Sequence, residues 1–133
     1  MSHATAPAIV ASRPILAVLV HVPDPVAAVA WYARALPGSV RHRLPEPDPV
    51  HYLDIGGVML ELVPSDEKVA SGPAGTVVYW HTPDFDASFA HLVACGAIPY
   101  RGPGDIEGGQ RMCQVRDPWG NCIGLRGPVR IGA

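Results

Sequence analysis

Glu61 is the residue of this chain best suited by type and setting to do chemistry, because it interrupts the apolar run Val58-Met59-Leu60-Glu61-Leu62-Val63. A carboxylate in such a strand costs free energy unless it is paired, hydrogen-bonded or protonated. Two roles meet that demand: general base, or ion-pair partner of Arg126 or Arg111. The ion pair is the favoured reading, since structural pairs and catalytic groups perturb a carboxylate alike. The same arginines can also clamp a carboxylate on a ligand. Tyr79 either donates a hydrogen bond or packs. His21 and His81 each stand three residues before an aspartate, in His21-Val22-Pro23-Asp24 and His81-Thr82-Pro83-Asp84. They are read as bonding to backbone where a strand gives way to a helix. Cys95, Cys113 and Cys122 lack the close paired spacing of zinc ligands or redox motifs and are read as reduced thiols. No Ser-His-Asp or Cys-His grouping is arguable from spacing.

The elements that must position these residues follow from pattern. Pro14 to Val22 is almost wholly apolar, as expected for a strand covered on both faces. Asp24 then serves as N-cap and Pro25 as a first helical residue. Val26, Val29, Ala30, Ala33 and Leu36 recur on one face of this helix, which Pro37-Gly38 stops. Ser39 to Arg43, Val50 to Ile55 and Val58 to Val63 read as strands, the last two joined by a tight Gly56-Gly57 turn. After a linker from Pro64 to Ala74 the plan recurs. Thr76 to His81 is a strand, and Asp84 starts a helix with Phe85, Phe89, Leu92 and Val93 on one face. Gly96 is its C-terminal cap. Ala97 to Tyr100 is a short strand, Gly102 to Gly109 a flexible loop or flap, and Arg111 to Pro128 a hairpin turning at Asp117-Pro118-Trp119-Gly120-Asn121.

Two offset matches indicate duplication. Asp54, Gly57 and Leu62 align with Asp117, Gly120 and Leu125, while His21-Val22-Pro23-Asp24 aligns with His81-Thr82-Pro83-Asp84. The expected fold is α+β, with two β-α-β-β-β modules related by pseudo-twofold symmetry. Residues 1–13 form a flexible tail, 14–63 the first module, 64–74 the linker and 75–128 the second.

Composition narrows the function. At 133 residues, 48% of them hydrophobic and 17% charged, the chain has the size of one globular domain. A formal charge of −2 offers no broad positive field for nucleic acid. The short Arg41-His42-Arg43 cluster reads as a solvated strand end. No run approaches the roughly 20 apolar residues of a membrane-spanning helix. The first thirteen residues lack the basic opening and apolar core of a leader, so the expectation is a cytoplasmic protein.

On Asp117-Pro118-Trp119-Gly120-Asn121 and the paired module plan, the chain resembles the vicinal oxygen chelate superfamily of glyoxalases, extradiol dioxygenases and bleomycin-resistance proteins. The resemblance spans Pro14 to Pro128. It implies two sheets curled around one cavity, a small organic molecule as partner, and a homodimer. It also implies four metal-ligand positions, which fall here on Ala17, Glu61, Val77 and Gly124. Three of these lack a donor, whereas a catalytic divalent metal needs about three protein ligands. His21 and His81 cannot substitute without moving the site, since four residues of strand span roughly 13 Å.

Strand parity puts Leu19, Met59, Glu61, Tyr79, Cys122 and Arg126 on the inner face. The ligand-binding candidates are therefore Leu19, His21, Met59, Tyr79, Arg111 and Arg126, in an apolar cavity with few charges. Glu61 is the catalytic candidate. Two functions compete. One is metal-free binding and sequestration of a small molecule, with no cofactor. The other is a lyase, isomerase or dioxygenase using a displaced metal or Glu61 as general base. The missing ligands favour the first.

Overall fold

A computed structural model describes residues 15–45 and 49–129. The expected tail at residues 1–13 and the middle of the proline-rich turn lie outside the described residues. The chain folds as strand β1 (Ala17–Val22), helix α1 (Pro25–Ala35) and strands β2 (Val40–Leu44), β3 (Val50–Ile55) and β4 (Val58–Pro64), followed by a second set. That set is β5 (Tyr79–His81), α2 (Phe85–Ala94), β6 (Ile98–Ile106), β7 (Gln110–Arg116) and β8 (Cys122–Pro128). The first sheet has the order β1-β4-β3-β2 and the second β5-β8-β7-β6. In each, the first strand pairs parallel with the last and the remaining pairs are antiparallel. The duplicated β-α-β-β-β plan is thus present in both halves.

Each helix starts where an aspartate can cap it. Asp24 Oδ1 accepts hydrogen bonds from the amides of Val26 (3.1 Å) and Ala27 (3.3 Å), and Asp84 Oδ1 accepts from Ala87 (3.3 Å). Gly96, with φ +98°, closes α2 in the left-handed conformation that glycine adopts without penalty. The buried stripe of α1 differs from the expected one: Ala28, Val29, Trp31, Tyr32 and Ala35 are buried, whereas Val26 is 56% exposed. Trp31 and Tyr32 turn the helix, because both reach across to the second module and bury far more area than valine or alanine. In α2, Phe85 and Leu92 are buried, but Val93 points outward.

One face of each sheet carries the core. Val22, Leu53, Leu60 and Leu62 in the first sheet, and Cys113, Val115, Ile123 and Leu125 in the second, pack beneath the helices. Among the described residues the opposite faces carry no helix, and Leu19 on β1 is 54% exposed. The strand read as covered on both sides is therefore covered on one.

The modules are tied together at the hairpin turn. The Tyr32 hydroxyl donates to Asp117 Oδ2 (2.6 Å), and Trp31 Nε1 donates to the Cys95 carbonyl (2.9 Å). Asn121 Nδ2 donates to the His21 carbonyl (3.1 Å), while its Oδ1 accepts from the Gly72 amide (2.9 Å). Asp117 Oδ1 also accepts from the amides of Trp119 and Asn121, both at 2.8 Å. The Asp-Pro-Trp-Gly-Asn stretch is thus a buried capping device on which both modules converge.

Two element expectations change. The strand before α2 is short, Tyr79–His81, with 76–78 irregular. Gly102 to Ile106, expected as loop or flap, continues β6. The strand accommodates its glycines and Pro103 through register shifts between Pro99 and Arg101 and between Arg101 and Gly104. Only Glu107–Gly109 forms a turn, as one 3-10 segment.

Candidate ligand-binding face

Strand register maps the helix-free faces residue by residue. On the first sheet, His42 lies beside Tyr52, Tyr52 beside Glu61, and Glu61 beside Leu19. The His42 and Tyr52 rings stack at 5.0 Å. A neighbouring row runs through Asp54, Met59 and Ala17. On the second sheet, one row holds Ile98, Arg116 and Cys122, the next Arg101, Gln114, Gly124 and Tyr79, and the third Met112, Arg126 and His81. Leu19, Met59, Glu61, Tyr79, Cys122 and Arg126 stand on these open faces, in agreement with their parity.

Polar groups on the second sheet are organised. Gln114 Nε2 donates to the Tyr79 hydroxyl (2.7 Å), and the Cys122 thiol to Gln114 Oε1 (3.4 Å). The Arg126 guanidinium lies over the Tyr79 ring at 4.6 Å, and that of Arg116 over Tyr100 at 5.6 Å. Burial pushes the Cys122 thiol up from its ordinary value, against the opposing pull of Arg116 and Arg101. Arg101, Arg116, Gln114 and the His42–Tyr52 stack were not among the candidates. Alternation with Arg126 through β7 carries a signal for Gln114 and Arg116. Arg101 carries none, because the register shift in β6 breaks the parity.

The predicted pairing of Glu61 does not form. Glu61 is half-buried and makes no ion pair or hydrogen bond among the described residues. Arg111 is engaged elsewhere: its Nη1 meets Asp86 on α2 at 2.8 Å and its Nε meets Asp105 at 2.7 Å. It lies opposite Gly127, on the helix side of its sheet, so it leaves the ligand-binding set. Arg126 is stacked on Tyr79 rather than paired with Glu61. With these arginines and Gln114, the second sheet's open face is also more polar than the apolar cavity expected.

The histidines also differ from expectation. It is the main-chain carbonyl of His21, not its ring, that is bonded, accepting from Ser71 Oγ (2.6 Å) and Asn121. The ring Nδ1 of His21 is buried without a hydrogen-bond partner among the described residues. His21 lines a cavity of about 200 Å³ between the sheets, with Leu19, Tyr32, Trp80, Asn121 and Cys122. His81 is exposed and lines a larger cavity of about 460 Å³ on the helix side, walled by Trp80, Leu92, Leu125, Leu36 and Ile55. This larger cavity is lined mainly from the helix side. Its lining is apolar, and its Thr82 and Ser88 hydroxyls bond to one another.

Of the positions the resemblance implies for a metal, Ala17, Glu61, Val77 and Gly124, Glu61 alone has a donor side chain. Ala17 and Val77 carry no donor, and a Cβ on Gly124 would stand 2.7 Å from Tyr79 Cδ1 and 2.8 Å from the Val78 carbonyl. Tyr79 occupies the space a ligating side chain needs. Among the described residues no group of three or more His, Cys, Asp and Glu converges.

Residues 17–125 match the family model described as the glyoxalase-like domain. The chain belongs to the glyoxalase-like domain family. Its fold is that of a glyoxalase/bleomycin resistance protein/dioxygenase superfamily member from Sphaerobacter thermophilus (TM-score 0.70, 20% identity, covering 85% of this chain and 95% of that one). TnmS3 of Streptomyces, described as an antibiotic binding protein, is 27% identical, with a TM-score of 0.69 over 86% of this chain and 94% of its own. TioX of Micromonospora is 25% identical, with a TM-score of 0.66 over 86% of this chain and 98% of its own. No curated protein matches the chain significantly. Within this glyoxalase-like domain, no helix among the described residues is long and apolar enough to cross a membrane.

Proposed function

We propose that this glyoxalase-like protein binds and sequesters a small organic molecule on its open sheet faces, without a metal or other cofactor. The observation that carries the reading is Tyr79 lying on Gly124, which replaces a ligating position with an aromatic ring held by Gln114 and Arg126. Likeness to an antibiotic binding protein supports it. The ligand contacts are Leu19, Met59, Tyr79 and Arg126, with His21 at the cavity between the sheets. A homodimer, which the superfamily resemblance implies, is part of this reading. The three free cysteines fit a reducing, cytoplasmic setting, which cell fractionation checks.

Calorimetric titration of chelator-treated protein with a panel of planar aromatic compounds tests the binding reading. Saturable binding unchanged by added divalent metal is expected, and binding that requires metal overturns it. A sedimentation mass of one chain at working concentration overturns the dimer.

A second reading rests on Glu61, half-buried and unpaired among the described residues, as general base for a metal-independent isomerase or lyase. Turnover of any bound carbonyl compound, lost in Glu61→Gln with affinity retained, would establish it.

A further inference from the structure

Arginines on three successive rows of the second sheet's open face face the same way. Arg116, Arg101 and Arg126 sit on β7, β6 and β8, at register positions one row apart. Rows are separated by about 7 Å and neighbouring strands by about 4.8 Å. Among the described residues none of the three is ion-paired. Arg116 Nε donates to the Gly120 carbonyl (3.3 Å), Arg126 lies over Tyr79, and Arg101 is exposed. Of this module's acids, Asp86 and Asp105 hold Arg111 on the helix side, and Asp117 is buried in the hairpin turn. Glu61 and Asp54, on an open face, belong to the other sheet.

Like charges gathered on one face repel each other and destabilise the fold unless something compensates them. Stacking accounts for only part of their valency. A guanidinium lying flat on a tyrosine ring uses its π-face and keeps its in-plane N–H donors free, in the fork that matches a carboxylate, sulfonate or phosphate. Beside these donors stand Tyr79 and Tyr100, with Ile98 and Met112 on the same face. The face thus offers anion-binding forks next to flat apolar surface.

We propose that the ligand of this face is a planar aromatic anion, with its acidic group held between Arg101 and Arg126 and its ring against Tyr79. The inference rests on the small-molecule-binding reading above and specifies its ligand class. Arg116 positions the rim by holding the Gly120 carbonyl and sitting over Tyr100, so Arg101 and Arg126 carry the test.

The experiment is isothermal titration calorimetry of the full chain with 2-naphthoate, its neutral isostere 2-naphthamide and the cation 2-naphthylmethylammonium, at low and high salt. Naphthoate is expected to bind about tenfold or more tighter than the amide, the worth of one charge-assisted hydrogen bond, and to weaken as salt is raised. Arg101→Gln and Arg126→Gln should each remove that preference for naphthoate over the amide. Arg111→Gln, on the helix side, should leave it intact. Equal affinity for naphthoate and naphthamide overturns the anion assignment but spares the binding reading. If none of the three probes binds, both fall. A preference for naphthoate that survives both arginine changes also overturns the assignment.

Discussion

Tyr32 on the first helix donates its hydroxyl to Asp117 in the second module's hairpin turn at 2.6 Å, and both groups are buried. Burial first, then the neighbouring Asp117 charge, holds the Tyr32 hydroxyl well above its ordinary value of 10.0. Its proton therefore stays on and keeps donating. Tyr32→Phe leaves the carboxylate with only its backbone donors, a loss of about 1.5–3 kcal/mol for a hydrogen bond to a charged group. Chemical denaturation should show that loss as a lower midpoint with unchanged slope. An unchanged midpoint would mean the bond contributes nothing net.

The same bond makes an alkaline prediction. A group whose folded value is raised contributes stability that is complete below its unfolded value and is lost as pH rises through the folded one. For Tyr32 the loss begins near pH 10, the ordinary value. Melting temperature against pH should fall above that point in the parent and less steeply in Tyr32→Phe. Parallel curves for the two proteins would refute the assignment.

Gly124→Ala introduces a methyl group 2.7 Å from the Tyr79 ring and 2.8 Å from the Val78 carbonyl. Such overpacking costs about 1–3 kcal/mol. Adding Tyr79→Ala should return part of that cost, since the ring can be removed and the carbonyl cannot. A double-mutant cycle reads the coupling directly, and strict additivity would show that Tyr79 does not fill the site.

Glu61→Gln removes a charge that has no partner among the described residues, so the melting temperature should change little. A large fall would restore the ion pair that the sequence suggested.

Burial raises the Cys113 thiol to about 11. At pH 8 it is almost wholly protonated and shielded, and so unreactive. Mass spectrometry after brief maleimide treatment should find Cys113 unlabelled in folded protein and labelled in denaturant. Labelling of the folded protein at the rate of an exposed thiol would contradict the burial.

What was legible in the sequence was whatever local chemistry decides. Asp24, Asp84 and Gly96 cap helices wherever they occur, and the Asp117 to Asn121 turn carries its own hydrogen-bond logic, so both helices and the closing hairpin were readable. Parity also placed Leu19, Glu61, Tyr79 and Arg126 on the face they occupy. Tertiary choices were hidden. The rotation of α1 depends on Trp31 and Tyr32 finding partners 64 and 85 residues away. One of the two partners of Arg111, Asp86, is on α2, 25 residues back, and no spacing rule favours it over Glu61. Arg101 was hidden for a different reason: a register shift cancels the alternation by which it would be found.

Two of the edge strands, one in each sheet, have a bearing on how this chain lives in a crowded solution. β2 is exposed along its length and presents Arg41 and Arg43, while β6 is broken by Pro99, Pro103 and its register shifts. Unpaired strand edges invite other chains to extend the sheet, and charges, prolines and irregularities are the features that deter them. These two edges, one on each sheet, are defended in this way by different means. Extension of either sheet across these two edges by another chain is thereby disfavoured.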